Sequence, residues 1–361
     1  MQASLYVHIP FCARKCAYCD FESYAGRLNY ADSYIDALLE EARQYAPLSI
    51  STAYIGGGTP SLLSPEQLKR LLGGLTDIFE FAATAEFSME ANPGTVTPEK
   101  LRAARSEGIN RISFGVQAYQ PRLLKLLGRI HRFDEAATSV KLAQDAGISN
   151  INCDLMYALP GQTVEDLSES IAKVAELKPT HISCYSLILE EGTPLYNAVA
   201  CGALAEPDED TACLMQAAAI SETARRGYER YEISNYALPG YECRHNIVYW
   251  TGANYLGLGC AAHSFMDNVR FANPDYDRYM QGERRIDITP ISDAERLEEL
   301  ILLGTRMTRG ISTAQLPQAV ITAAASPRYK GLIELDGNRL RFTDAGMQVH
   351  NRLVLELVDK L

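Results

Sequence analysis

Leu5-Tyr6-Val7-His8-Ile9-Pro10-Phe11-Cys12-Ala13-Arg14-Lys15-Cys16-Ala17-Tyr18-Cys19 sets a short apolar strand directly before three cysteines in a C-x3-C-x2-C spacing. Three thiolates this close, on a loop that follows a strand, can converge on one metal centre. The next cysteine is Cys153, so the stretch offers three local ligands and no near fourth. A structural zinc site is normally closed by four protein ligands. A cubane 4Fe-4S cluster held by three cysteines leaves one iron open to a small molecule. The spacing points to the cluster. A zinc site closed by His8 or by a distant cysteine is the alternative.

Working outward, the strand-then-loop pattern recurs. Ser4–Ile9, Thr52–Ile55, Glu86–Glu90, Arg111–Phe114, Asn150–Leu155 and His181–Leu187 read as strands, with helical segments between them. Within Asn29–Ala46, Tyr30, Tyr34 and Leu38 recur at spacing four, one face of a helix. Ser64-Pro65-Glu66-Gln67 reads as a capping box with proline at the first helical position, and Thr97-Pro98-Glu99 opens a helix the same way. Asp134–Ala146 stops at Gly147, and Thr163–Leu177 stops before Pro179. Strands that alternate with helices pair in parallel through right-handed crossovers. Periodicity does not choose between an open doubly wound sheet and a complete or partial barrel. In either, ligands gather at the carboxyl ends of the strands.

Polar motifs fall at those ends: the cysteine loop, Gly56-Gly57-Gly58-Thr59, Glu90, Gln117 and Asp154. A glycine run after a strand lets the main chain approach a ligand and present its N–H groups. This run lacks the Gly-Lys-Ser/Thr ending of a phosphate loop. Beyond residue 200 the pattern changes. Asp208–Arg226 reads as a helix, and Tyr228–Phe265 is rich in glycine and tyrosine. A separate unit follows: a helix over Asp293–Thr308, a hairpin around Asp336-Gly337-Asn338 and a final helix from Asp344. That order suits a winged-helix-like appendage or a docked helical cap.

The 361 residues carry 34 basic and 45 acidic side chains, a net charge of −11. Affinity for a phosphate backbone comes from clustered Lys and Arg, so no nucleic-acid partner is expected. No apolar run approaches the ~18–20 residues of a membrane span. The first residues carry no basic segment followed by a long apolar one, so a cytoplasmic location is expected. Nine cysteines, an odd number, argue against a disulfide framework.

The cysteine motif followed by Gly56-Gly57-Gly58-Thr59-Pro60 resembles the radical S-adenosylmethionine enzymes, and more narrowly their oxygen-independent coproporphyrinogen III oxidase branch. The supporting strings are Tyr6–Cys12, Ser88-Met89-Glu90-Ala91-Asn92-Pro93, Phe114-Gly115-Val116-Gln117 and Asp154–Gly161. Tyr231–Tyr236 and His245-Asn246-Ile247-Val248-Tyr249-Trp250 resemble the HemW-like heme chaperone subgroup. The resemblance covers almost the whole chain. It implies an α/β fold: a partial (β/α)6 TIM-like barrel over 1–200, an extension and junction carrying the His-Asn-x-x-Tyr-Trp motif over 201–285, and a smaller, mostly helical, winged-helix-like domain over 286–361.

The same resemblance implies roles. Cys12, Cys16 and Cys19 would hold the cluster, and the amino and carboxylate groups of S-adenosylmethionine would chelate the open iron. Tyr6 and Gly57 would lie against its methionyl part, and Glu90 would serve its hydroxyls or amino group. Gly58, Thr59, Gln117, Arg129 and Asp154 match positions that line a second S-adenosylmethionine in the oxidase relatives; whether this chain takes one molecule or two stays open. His245, Tyr249 and Trp250 would meet heme, with His245 as first axial ligand and His263 as the second candidate. The plainer reading makes His245 a hydrogen-bonded structural histidine and lets Tyr249 and Trp250 fill the domain junction.

Two departures from the oxidase pattern count. The cysteine motif begins at residue 12, without the extension that helps build the oxidase active site, and Phe21 stands where the oxidase has a further cysteine. The expectation is therefore a chaperone that binds heme and passes it to an acceptor haemoprotein, one in the respiratory chain being a candidate. An external low-potential electron donor is implied, and a homodimer is left open. The alternative is an enzyme that decarboxylates coproporphyrinogen III or performs other radical chemistry on a tetrapyrrole. A zinc-stabilised binding module is the third reading.

Overall fold

Polar and apolar residues alternate along six long strands, and that alternation sets the architecture. The computed structural model describes residues 2–361. Its strands and helices follow one another as β1 (Gln2–Ile9), α1 (Ala31–Arg43), β2 (Ser49–Gly57), α2 (Pro65–Ile78), β3 (Glu80–Ala91), α3 (Pro98–Ser106), β4 (Arg111–Gln117), α4 (Phe133–Asp145), β5 (Asn150–Tyr157), α5 (Val164–Glu176) and β6 (His181–Ser186). The helices start where the caps predict. Ser64 and Gln67 form a reciprocal capping box, Thr97 accepts from the Lys100 N–H, and Thr163 pairs with Asp166.

Strands β1 to β6 are hydrogen-bonded in sequence order and all run parallel. A doubly wound sheet reverses its strand order at a switch point. The order here never reverses, so the sheet curls into the expected partial barrel. It does not close. After α6 (Glu209–Ala224), β7 (Asn235–Ala237) pairs antiparallel with β6. On the other edge, after α7 (Arg244–Trp250), β8 (Tyr255–Leu258) pairs parallel with β1. The antiparallel β9 (His263–Met266), β10 (Val269–Ala272) and β11 (Ile286–Pro290) continue from it.

Leu5, Val7, Ile9, Ala53, Ile55 and Phe114 share one core cluster with Leu38, Leu71 and Val140 of the surrounding helices. The alternate positions carry Ser4, Thr52, Glu86, Arg111, Asn152 and His181, all nearly inaccessible. Successive side chains of a strand face opposite sides, so these polar groups line the inside of the barrel. Ordinary closed barrels fill that space with branched apolar residues. Buried polar groups must be hydrogen-bonded to avoid a large penalty. Asn152 Nδ2 donates to Ser113 Oγ at 2.7 Å, and the two His181 ring nitrogens meet Asn152 Oδ1 at 2.6 Å and the Tyr231 hydroxyl at 2.9 Å. Two register neighbours, Ser88 Oγ and Arg111 Nε, have no partner.

Helix α7 docks its first turn on the polar inner face of the barrel, with His245 its one buried residue. The Glu86 carboxylate accepts the N–H groups of Arg244 and His245, each at 3.0 Å. His245 Nδ1 lies 2.8 Å from Thr52 Oγ1, and the Cys243 N–H reaches the Tyr231 hydroxyl at 3.3 Å. A carboxylate is favourable at a helix N-terminus, where unpaired N–H groups point outward. The helix is thus tied to β2 and β3 directly and to β6 through Tyr231 and His181.

The C-terminal residues build a second core around Ile301, Val320, Leu340 and Leu357. Its elements are α8 (Asp293–Gly304), β12 (Ile311–Ser312), α9 (Gln318–Ala324), a hairpin of β13 (Ile333–Asp336) and β14 (Arg339–Phe342), and α10 (His350–Val358). The hairpin sits where Asp336-Gly337-Asn338 predicts it, and β12 adds to its β14 edge. The first helix ends at Gly304, not Thr308, and the Ile311 side chain packs where a Cβ on Gly304 would stand. The last helix is interrupted at Val349 (φ −112°, ψ 29°), so Asp344–Gln348 forms a turn of its own. Among the described residues no helix is long and apolar enough to cross a membrane.

Candidate cofactor site at the barrel mouth

A cavity of ≈ 450 Å³ opens at the carboxyl ends of the strands, and Cys12, Cys16 and Cys19 all border it. Small-molecule sites span roughly 300–1,000 Å³. Gly57, Gly58, Glu90, Gln117, Arg129 and Asp154 complete its wall. Two expected residues stand behind the wall. Tyr6 turns its hydroxyl to His8 Nδ1 at 3.0 Å, and Thr59 is buried, accepting from Asn92 Nδ2 at 2.7 Å. His8 Nε2 meets the Glu22 carbonyl at 2.7 Å, which ties the far end of the cysteine loop to β1. Gln117 is held at φ 69°, a left-handed conformation that costs a non-glycine residue about 1–3 kcal/mol and recurs at functional sites.

The glycine run works differently from the expectation. Gly58 and Thr59 donate their N–H groups to the carbonyls of Ile9 and Phe11, both at 2.8 Å. They stitch the cysteine loop to β2 instead of facing a ligand. A Cβ on Gly58 would come within 2.7 Å of the Phe11 carbonyl oxygen, and one on Gly57 within 2.4 Å of the His8 ring. Closeness to the first strand therefore dictates the glycines. Only the Gly57 N–H reaches a pocket group, donating to Glu90 Oε2 at 3.1 Å.

The wall groups are charged but not paired with one another. Glu90 accepts from the Tyr54 hydroxyl at 3.0 Å and from Gly57. Asp154 accepts from Ser113 Oγ at 2.9 Å and from Asn152 Nδ2 at 2.7 Å. Arg129 donates to the Gly115 carbonyl at 2.6 Å, to Cys16 Sγ at 3.4 Å and to Asn92. Burial, then the Asp154 charge, pushes the Glu90 carboxyl up to about 7. Burial also raises Asp154. The cavity thus holds two carboxyls, Glu90 and Asp154, and two guanidiniums, Arg14 and Arg129, with no ion pair among them, a complement to a ligand with cationic centres and a carboxylate. Burial pushes the Cys19 thiol up to about 11. A bound metal reverses that trend, since coordinated thiols are deprotonated. Among the described residues no His, Cys, Asp or Glu group converges tightly enough for a single ion. A cluster spreads its three sulfur ligands wider than a single ion does, and the three cysteines share one cavity rim.

The heme candidates lie elsewhere. His245 is 1% exposed, and its ring nitrogens are taken by Thr52 and by the Tyr249 hydroxyl, the latter at 3.0 Å. Burial, then Arg111, lowers its pKa to about 3, so the ring is neutral. Trp250 is half-buried with the Arg306 guanidinium 4.4 Å above its ring, which seats the C-terminal unit against α7. His263 is exposed at the start of β9 and does not border the cavity. Tyr54, Tyr18, Asn92 and Tyr185 also line the cavity, and no sequence motif assigns them a role there. The alternation along β2 is the one available signal for Tyr54, two residues before Gly56.

An incomplete parallel barrel with a C-x3-C-x2-C loop over its carboxyl end defines the class: residues 6–174 match the Radical SAM superfamily, and residues 291–349 match the HemN C-terminal domain. The architecture is that of the coproporphyrinogen III oxidase HemN of Escherichia coli, with a TM-score of 0.85 over 99% of this chain and 90% of that one. At 24% identity that likeness concerns the fold alone. Closer in sequence are proteins named heme chaperone HemW. The Lactococcus lactis protein is 36% identical over 362 residues, 97% of this chain and 96% of its own. That of Bacillus subtilis is 37% identical over 86% and 84% of the two chains, and that of Escherichia coli 41% over 79% of each. The chain belongs to the HemW heme chaperone family.

Proposed function

We propose that the protein binds heme for delivery to an acceptor haemoprotein and carries at its barrel mouth a 4Fe-4S cluster that takes S-adenosylmethionine at its open iron. The family supports the first half. The second rests on one observation above the others: three thiols share a rim with two carboxyls and two guanidiniums that form no ion pair with one another. Cys12, Cys16 and Cys19 hold the cluster in this reading. Bound there, it would supply a single electron to the sulfonium, drawn from an external low-potential donor. Glu90 and Asp154 face the cationic groups of the ligand, and Arg129 faces its carboxylate. A cytoplasmic setting and a respiratory acceptor belong to the same reading.

Glu90 makes binding pH-dependent. An N–H of the ligand's iron-chelating amino group donates to Glu90 and favours the ionised carboxylate, so binding below its pKa of about 7 must release a proton. Affinity for S-adenosylmethionine should be flat above about pH 8 and fall up to about tenfold per unit below pH 6. Glu90→Gln should flatten the profile. Calorimetric titration of the reconstituted protein across this range checks it.

The chaperone reading is tested by reconstituting the protein anaerobically and supplying heme, then coproporphyrinogen III with a low-potential reductant. Stoichiometric heme binding without porphyrin turnover is expected. Efficient conversion to protoporphyrinogen IX would overturn it. His245 takes part in heme binding only if the Tyr249 hydroxyl gives way, because both ring nitrogens are engaged. His245→Ala should weaken heme binding about tenfold or more, about 1.4 kcal/mol, and leave the iron content intact. Unchanged heme affinity would remove His245 from the site.

A further inference from the structure

We infer that Tyr54 is a positioning residue that carries the state of the ligand cavity to helix α7. The inference rests on the proposed reading of the cavity as an S-adenosylmethionine site. Among the described residues, Tyr54 joins the two places, with a hydrogen bond in the cavity and a ring contact on α7. Its hydroxyl donates to Glu90 Oε1 at 3.0 Å, inside the cavity. Its ring stacks on His245, with centroids 5.3 Å apart and planes at 24°. His245 in turn meets Tyr249, whose ring packs edge-on against Tyr255 at 4.8 Å. Tyr249 and Tyr255 form one wall of a second cleft, closed on its far side by Arg296 and Glu299 of α8. An unbroken line of packed side chains therefore runs from the barrel mouth to the junction with the C-terminal unit.

The physical lever is competition at Glu90. Its second oxygen is fixed by the Gly57 N–H at 3.1 Å, so Tyr54 holds the first alone. A charge-assisted hydrogen bond is roughly twice as strong as a neutral one. An N–H of the ligand's amino group arriving at Glu90 competes with the phenol for the first oxygen and weakens the Tyr54 bond, so the phenol turns towards another partner. A close-packed interior does not absorb such a turn locally. His245 lies face to face with the moving ring, on a seven-residue helix whose N-terminus hangs on Glu86. Tyr54 thus links ligand at the mouth to the setting of α7, and with it to Tyr249. Linkage is reciprocal, so whatever binds at α7 must alter affinity at the mouth by the same factor.

The chain has a single tryptophan, Trp250, and it lies on α7, so its emission reports this helix directly. In the reconstituted protein, saturating S-adenosylmethionine is expected to change Trp250 emission and hydrogen exchange over residues 244–251. It should also shift heme affinity roughly five- to tenfold. Tyr54→Phe keeps the ring and its stacking but removes the hydroxyl. At a ligand concentration that gives the full ligand-induced change in its cluster EPR spectrum, it should lose all three responses. If the ligand changes the EPR spectrum while α7 stays silent, or if Tyr54→Phe responds like the parent, the inference is overturned and the reading of the cavity stands. If the ligand leaves the spectrum of the parent unchanged, the cavity reading fails, and the inference falls with it.

Discussion

Replacing Cys12, Cys16 or Cys19 by alanine is expected to remove the iron–sulfur centre and leave the fold in place. The three thiols are half-exposed, and their loop is held by its backbone: the Ala17 N–H donates to the Leu127 carbonyl at 2.9 Å and the Cys19 N–H to the Cys16 carbonyl at 3.3 Å. The sulfurs carry little packing, so each change should cost under about 1 kcal/mol of stability. With two cysteines left, a cluster that already has an open iron has too few anchors. Iron should fall from about four per chain towards none. Affinity for S-adenosylmethionine should fall by more than about 100-fold, beyond the loss from perturbing an outer partner of a metal ligand. Iron and sulfide analysis, visible absorption and a thermal melt together check this. Cys153 and Cys260 give the contrast. Both are fully buried, so changing them should lower the melting temperature and spare the iron. A single variant of the three that kept its full iron would show that another residue completes the site.

The largest loss of stability is expected from Glu86→Ala. Glu86 is 6% exposed and takes the first two N–H groups of α7, and the buried Arg111 guanidinium senses its charge. Removing the carboxylate strips two helix donors of their acceptor and leaves Arg111 short of a counter-charge inside the barrel. A buried donor left without its acceptor costs about 1–3 kcal/mol, and two are left here. Helix α7 has only seven residues. Helices shorter than about 12 residues are marginal alone, so it depends on this anchor. Glu86→Gln keeps an acceptor and should cost about half as much. Urea denaturation measures the difference, and a red shift of Trp250 emission in the native state would show that α7 has loosened. A loss below about 1 kcal/mol would mean that Thr52 and Tyr54 hold the helix without Glu86.

Much of this architecture is legible in the sequence. The cysteine tripod is a local pattern, and so are the helix caps at Ser64, Thr97 and Thr163; neighbours along the chain settle both. Strand limits are less legible. The apolar signal marks Glu86–Glu90, whereas the strand runs from Glu80 to Ala91, because its first residues are exposed and carry no apolar alternation. The glycine run is easy to locate, but its role is not. Nothing local reveals that Gly58 must clear the carbonyls of Ile9 and Phe11. Glu86, Arg111 and Tyr54 carry no local mark of their roles. A buried polar strand face looks, in one sequence, like scattered polar residues in a surface strand.

By itself the sequence determined the close spacing of three cysteines after the first strand, the parallel pairing and the end of the sheet where ligands gather. Each follows from spacing within a few residues, or from crossovers that only one handedness allows. The tertiary structure alone decided that the sheet curls without closing, that its lumen is polar, and that the His-Asn-x-x-Tyr-Trp segment docks on it through His245. Thr52 meets His245 across 193 residues of chain, and Glu86 meets it across 159. Contacts of that range depend on how the strands stack around one another, which no local period encodes.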